Sequence, residues 1–354
     1  MRAARCVLLF VGTVGARRTR VVEHTKLFAQ NGSFLIDTAV DAPRFDPGDN
    51  ALDYLQREGY VVLRGVANAS ELSRARELFW AFIEGARVGA VREDPSSWRR
   101  LQPNQYGIVW GHGSGQSRLM WHVRTLPRLR EMFELVWGSA DLITSFEGFS
   151  IFPPLDEEEN WDIADGGWCA RTHAAAAAGA QIAHARRRFH TDQNGVSRPG
   201  LQTIQSLTAL WDQDESTGAF VVVPRSHKRH AGVTKRVYQA RPRTPADQQF
   251  LMLPENDLIL LGKRRPRLVR CRAGDAILWD SRTVHCNTPA LLGAPPLGPE
   301  QSDPPGSARP NRLSAYVAMA PRHRATPEVL RQRQVCSSAL SVLRPTRARP
   351  ARPP

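Results

Sequence analysis

Apolar positions follow two rhythms along this chain, and the change falls near Leu142. Before it they recur at helical spacing. Leu52, Tyr54 and Leu55 predict a short helix that Gly59 closes, and Tyr60-Val-Val-Leu63 continues as a strand. Leu72, Ala75, Phe79, Phe82 and Ile83 share one face of a longer helix. Asn68 and Glu71 at its start predict a capping box, in which two side chains satisfy otherwise orphaned backbone N–H groups. A further stripe, Leu129, Met132, Phe133 and Val136, predicts a helix over 125–137 that Gly138 ends. Such stripes face a core and are not candidate sites.

From Leu142 the pattern becomes strand-like. Leu142–Phe152, Leu201–Trp211, Ala219–Val223, Leu268–Trp279 and Arg312–Ala320 are rich in β-branched and aromatic residues, with turn residues between them. Short strands at this spacing imply a mainly β barrel or sandwich with flanking helices. Two inserts interrupt it. Residues 155–185 carry Asp156-Glu-Glu-Glu159 and an alanine run, and the Pro/Gly-rich residues 291–310 read as a loop. The resulting organisation is a segment 1–25, N-terminal helical and strand elements over 26–141, a β core over 142–325, and a C-terminal helix or basic tail over 326–354. The first segment has Arg2 and Arg5 ahead of the apolar run Cys6–Val14, and no acid before Glu23. It fits a signal peptide, a transit peptide or a disordered start equally, which leaves a cytoplasmic or an organellar location open.

Charge changes this picture little. The net charge is +14, but 44 of the 48 basic residues are arginine, dispersed along the chain rather than clustered. A nucleic-acid surface concentrates its cations, so no nucleic-acid partner is expected. Five cysteines without a CxxC pair exclude a zinc ribbon, and no apolar run reaches the length of a membrane span. Neither Gly-x-Ser-x-Gly nor His-Glu-x-x-His occurs, which removes the serine-hydrolase and zincin readings.

Of the ten histidines, His190 alone has an acid two residues later, in His190-Thr-Asp192. Two apart on a strand means one face, so both side chains can reach one ion. His285, delivered by the strand Ala276–Trp279, is the best-placed third ligand. Two imidazoles and a carboxylate are the facial triad of non-haem iron(II) oxygenases. The strand from Asn311 opens with Arg312, whose guanidinium suits a dicarboxylate, and Ser314 lies on the same face to add a hydroxyl. Arg282 and Arg322 are alternatives for that role. His227 reads as a turn or core histidine, and Gly111-His-Gly-Ser-Gly115 as a loop.

Together these pieces resemble the phytanoyl-CoA dioxygenase family of iron(II)/2-oxoglutarate-dependent oxygenases. The matching residues are Phe189-His-Thr-Asp192-Gln, Ser206-Leu-Thr-Ala-Leu210, Ala219-Phe-Val-Val-Val-Pro-Arg-Ser-His227, Gly274-Asp-Ala-Ile-Leu-Trp279, His285 and Arg312. The resemblance implies a double-stranded β-helix (jelly roll, cupin-like), with Fe(II), 2-oxoglutarate and O2 as cofactor and co-substrates. It carries metal ligation to His190, Asp192 and His285, and co-substrate carboxylate binding to Arg312. The expected activity is hydroxylation of a small organic substrate, with succinate and CO2 as co-products. The rival readings are a non-catalytic binding protein of the same fold and a nucleic-acid demethylase. Two departures stand out. Arg225 replaces the glycine of the family's Pro-Gly-Ser-His turn, and Arg312 follows His285 by 27 positions where about a dozen is the family habit.

Overall fold

The computed structural model describes residues 41–104, 107–152, 189–254, 266–288 and 309–341. The segment 1–25, the insert 155–185, most of 291–310 and the tail from Leu343 lie outside the described residues.

The N-terminal stripes form the elements they predict. β1 (Arg44–Phe45) precedes α1 (Asp49–Glu58), β2 (Tyr60–Leu63) and α2 (Ala69–Gly85). Asn68 Oδ1 accepts from Glu71 N at 3.0 Å, and Glu71 Oε2 accepts from Asn68 N at 2.9 Å, completing the capping box. After β3 (Ile108–Val109) come α3 (Arg118–Arg124) and α4 (Pro127–Trp137). The expected helix over 125–137 therefore starts two residues late, at a proline, whose missing N–H costs nothing in a first turn. Gly138 ends it with φ +59°.

Two stretches that read as single strands are each broken in two. Leu142–Phe152 is β4 (Leu142–Thr144) and β5 (Phe149–Phe152). Then follow β6 (His190–Thr191), β7 (Ile204–Ala209), β8 (Phe220–Val222), α5 (His230–Ala240) and β9 (Leu251–Met252). Leu268–Trp279 is β10 (Arg267–Val269) and β11 (Ala276–Asp280), parted by a turn in which Gly274 adopts φ +85°. β12 (His285–Asn287), β13 (Arg312–Pro321) and α6 (Pro327–Ser341) end the described chain.

The larger sheet has the order β1-β2-β11-β7-β13-β5-β3 with β4 beside β13, and the smaller has the order β10-β8-β12-β6-β9. The eight strands β5–β8 and β10–β13 therefore wind between two antiparallel sheets, β11-β7-β13-β5 and β10-β8-β12-β6. This is the double-stranded β-helix, and the two sheets face one another without closing edge to edge. Phe220 of the smaller sheet meets Trp279 of the larger at 4.9 Å between centroids. The N-terminal helices pack on the larger sheet, with Phe79 and Phe82 of α2 edge-on to Phe149 of β5 at 5.7 and 5.3 Å.

The Pro224-Arg-Ser-His227 turn shows how the chain accommodates its departure from the family pattern. Arg225 has φ +62°, a left-handed conformation natural to glycine and strained for a residue with Cβ. Its guanidinium donates to both Glu58 carboxylate oxygens at 2.7–2.9 Å, and its backbone N donates to Glu58 O at 2.6 Å. The arginine ties the turn to the end of α1, which glycine could not do.

Candidate metal centre

β6 presents His190, and Asp192 follows it directly. β12, paired antiparallel with β6, sets His285 opposite His190. One donor atom from each of the three side chains lies within 4.8 Å of the others. Asp192 stands between the imidazoles, with Oδ1 3.3 Å from His190 Nε2 and Oδ2 3.2 Å from His285 Nε2. Adjacent ligands about 2.1 Å from one ion stand roughly 3 Å apart, so the donor set fits a single metal ion with little movement. Among the described residues no other His/Cys/Asp/Glu group meets this condition.

Neighbouring groups fix the orientation of these ligands. His285 Nδ1 donates to Thr283 O at 2.9 Å, which leaves the Nε2 lone pair facing Asp192 and the metal position. Trp279 Nε1 donates to Asp192 Oδ2 at 3.1 Å, and Asp192 N donates to Ser281 O at 2.9 Å. Burial pushes the Asp192 carboxyl up, but the imidazoles of His285 and His190 outweigh it and hold it well below the usual carboxylate range. It is thus an ionised ligand. Aromatic rings of Phe220 and Trp279 flank His285 at 5.2 and 5.4 Å and limit water on that side.

Arg312 opens β13 with its side chain fully buried. Nη2 donates to Asn287 Oδ1 at 2.6 Å, a bond from the larger sheet to the smaller across the interior. Nε reaches Ser314 Oγ at 3.4 Å, and the guanidinium lies over the Phe152 ring at 4.6 Å. Ser314 Oγ also accepts from Gln213 Nε2 at 2.9 Å. Nη1 is buried without a hydrogen-bond partner, and no carboxylate among the described residues pairs with this cation. Burial lowers the Arg312 pKa from its ordinary value. Among the described residues this buried cation keeps an unpartnered donor and no countercharge, a costly state for which an anionic ligand is the natural complement.

The alternatives place differently. The Arg282 guanidinium is taken by Asp280 at 2.6–3.2 Å, and Arg322 is exposed beyond the end of β13. His227 is buried with Nε2 on Gln56 O at 3.1 Å, the structural role its setting suggested. Two contributors escaped the sequence reading. Trp279 was visible only as a strand residue. Asn287 lies two residues beyond His285 on the same strand face, so the period-two rule that paired His190 with Asp192 also points to it.

The chain matches the family described as Phytanoyl-CoA dioxygenase (PhyH) over residues 55–289. The match spans all three triad residues and stops before Arg312 and Ser314. "Ava biosynthesis cluster protein O" of Aspergillus versicolor is 20% identical over 291 residues, 80% of this chain and 81% of that one. Among solved structures, the non-haem alpha-ketoglutarate-dependent carbocyclase SnoK from nogalamycin biosynthesis is 16% identical. It covers 78% of this chain and 86% of its own, with a TM-score of 0.43. EctD from S. alaskensis with bound Fe is 14% identical over 85% of each chain, with a TM-score of 0.44.

Proposed function

The chain belongs to the phytanoyl-CoA dioxygenase family, and from that premise we propose that it is an iron(II)- and 2-oxoglutarate-dependent dioxygenase that hydroxylates a small organic substrate, releasing succinate and CO2. One observation carries the reading. His190, Asp192 and His285 converge on one metal position, and two residues beyond His285 on β12 stands Asn287, which holds Arg312, a buried guanidinium with no paired carboxylate among the described residues. A metal ligand set beside a carboxylate receptor is what a metal-chelating dicarboxylate requires.

In this reading His190, Asp192 and His285 hold iron(II), and the bound iron supplies the oxidising chemistry with O2 and 2-oxoglutarate. Arg312 takes the distal carboxylate of 2-oxoglutarate through its free Nη1, and Ser314 adds its hydroxyl. Asn287 holds the guanidinium through Nη2 and leaves Nη1 for the ligand. Trp279 and Thr283 keep Asp192 and His285 aimed at the metal position. Asp192 fills the ligand place that a halide would otherwise take, which favours hydroxylation over halogenation. Residues 142–325 constitute the oxygenase core, and the N-terminal elements brace its larger sheet. No helix among the described residues is long and apolar enough to cross a membrane.

The test is succinate release from purified protein supplied with iron(II), 2-oxoglutarate and O2, run against a metabolite library, with mass analysis of each compound that accelerates it. Iron-dependent succinate formation and a product gaining one oxygen atom are expected. Absence of iron-dependent succinate formation under every condition overturns the oxygenase reading. A product with no added oxygen overturns hydroxylation alone.

A further inference from the structure

Ser145-Phe146-Glu147-Gly148, the link between β4 and β5, is held from several directions. Ser145 N donates to Ala318 O at 2.7 Å, and Ala318 N donates to Ser145 Oγ at 3.0 Å. Tyr316 N donates to Gly148 O at 3.2 Å, and Arg124 Nη2 of α3 donates to Glu147 O at 2.8 Å. A Cβ on Gly148 would fall 2.2 Å from Val109 O, and one on Gly115 would fall 2.0 Å from Phe146 O. Arg333 of α6 stacks on Phe146 at 4.0 Å and donates to Thr144 O. These contacts hold the link's backbone against β13, α3 and α6.

Register puts this link at the metal end of the barrel. Ala318 pairs with Gln205, and Gln205 pairs with Trp279, whose indole holds Asp192. Burial raises the Glu147 pKa, and the charge of Asp192 adds a smaller push in the same direction. Its Oε2 accepts from Ser145 Oγ at 2.9 Å. Among the described residues Oε1 takes no hydrogen bond, and the side chain is only half-buried.

We propose that Glu147 determines substrate specificity: its carboxyl oxygen Oε1 hydrogen-bonds a hydroxyl group of the substrate and so sets a neighbouring carbon against the metal centre. The inference rests on the oxygenase reading above and names the substrate class it acts on. Chemistry around the link selects a hydroxyl over an ammonium. Arg124 is buried beside Glu147, with Nε and Nη1 unpartnered among the described residues and its pKa pushed down to about 10 by burial. Arg333 adds a second guanidinium at Phe146, and the iron is a further cation. An ammonium would enter a field that already repels it. A hydroxyl is neutral, and it can donate to a carboxylate or accept from a carboxylic acid, so the contact survives either state of Glu147.

The experiment measures stimulated succinate release from the full chain with linear and cyclic alcohols and polyols, each paired with its O-methyl ether. The wild type should respond to hydroxyl members about tenfold or more over their ethers, because a polar group built to meet a hydroxyl rejects the analogue without it. In E147A that ratio should collapse toward one, whereas E147Q, whose amide can still accept from or donate to a hydroxyl, should keep a clear preference for the alcohol. A merely structural Glu147 would lower both members of a pair together and leave the ratio intact, which overturns the proposal. Equal response of the wild type to alcohol and ether, or response to neither while iron-dependent succinate release is present, also overturns it. Absence of all iron-dependent release instead defeats the oxygenase reading on which it rests.

Discussion

Asp192 occupies the point where the candidate centre is most sensitive to a single atom group. It faces both imidazoles, takes the Trp279 indole N–H, and is held by its own N–H to Ser281. Asp192→Ala removes the anionic ligand while leaving the backbone bond, so iron binding and 2-oxoglutarate turnover should be abolished with the fold retained. Metal titration and the far-ultraviolet circular dichroism spectrum check the two halves; full iron affinity in the variant would refute the triad. Arg312 carries the second residue-scale prediction. Arg312→Lys keeps the charge but loses the planar fork, including the Nη1 donor, unpartnered among the described residues, and the Nη2 bond to Asn287. Loss of a charge-assisted bond is worth about 1.5–3 kcal/mol, so 2-oxoglutarate affinity should fall roughly 10- to 100-fold. Arg322→Lys, at an exposed position past β13, should be silent in the same assay.

At the scale of elements, the metal ligands depend on contacts that begin far from them. Gly59, at the end of α1 with φ +84°, accepts from Thr283 Oγ1 at 2.9 Å, and Thr283 O in turn orients His285. A Cβ there would lie 2.4 Å from His227 Nδ1 and 2.6 Å from Thr283 Oγ1. Gly59→Ala should therefore destabilise the fold by about 1–3 kcal/mol and also weaken iron binding, although residue 59 touches no ligand. Chemical denaturation and metal titration read the two effects separately, and unchanged iron affinity would break the link from α1 to His285. Arg225 makes the complementary case. Arg225→Gly relieves the left-handed backbone but cuts the tie to Glu58, whereas Arg225→Ala cuts the tie and keeps the strain. The glycine variant should melt a few degrees above the alanine variant, and equal melting temperatures would mean that the left-handed strain is negligible. These connections also mark the limit of what the sequence discloses. His190 and Asp192 are two apart, so a local rule finds them, and the capping box at Asn68 is local in the same way. The Trp279 indole, the Gly59 contact and the placement of Glu147 arise from pairing between distant segments, which no local pattern encodes. The break between β4 and β5 was hidden for that reason: Ser145 and Phe146 read as strand residues, and it is their contacts with β13 and α6 that bend the chain.

At the scale of the whole molecule, composition disclosed five strand-rich stretches and the turns between them, but not the eight-strand winding, which came from the family resemblance; β6 and β12, of two and three residues, are too short to show in composition. The connection from β12 to β13 departs from the family in length, and residues 289–308 of it lie outside the described residues. Its two ends are nevertheless fixed. Asn287, the last residue of β12, accepts from Arg312, the first of β13, at 2.6 Å. Thr288 N donates to Ala219 O at 2.9 Å on one side, and Asn311 Nδ2 reaches Thr217 O at 3.4 Å on the other. The ends therefore meet without help from the residues between them, and a short link can span them. Closing a flexible loop becomes easier by only about 0.6 kcal/mol for each halving of its length. Replacing Leu292–Ala308 by a short Gly/Ser link should hold the melting temperature within a few degrees and preserve iron binding and 2-oxoglutarate affinity. Substrate choice is free to change, since loops near a barrel opening often meet the substrate. Differential scanning calorimetry and 2-oxoglutarate titration of the shortened chain decide the matter. If the chain unfolds, or if 2-oxoglutarate binding disappears while iron binding persists, the removed residues hold Arg312 in place, and the Asn287 bond is too weak to do so alone.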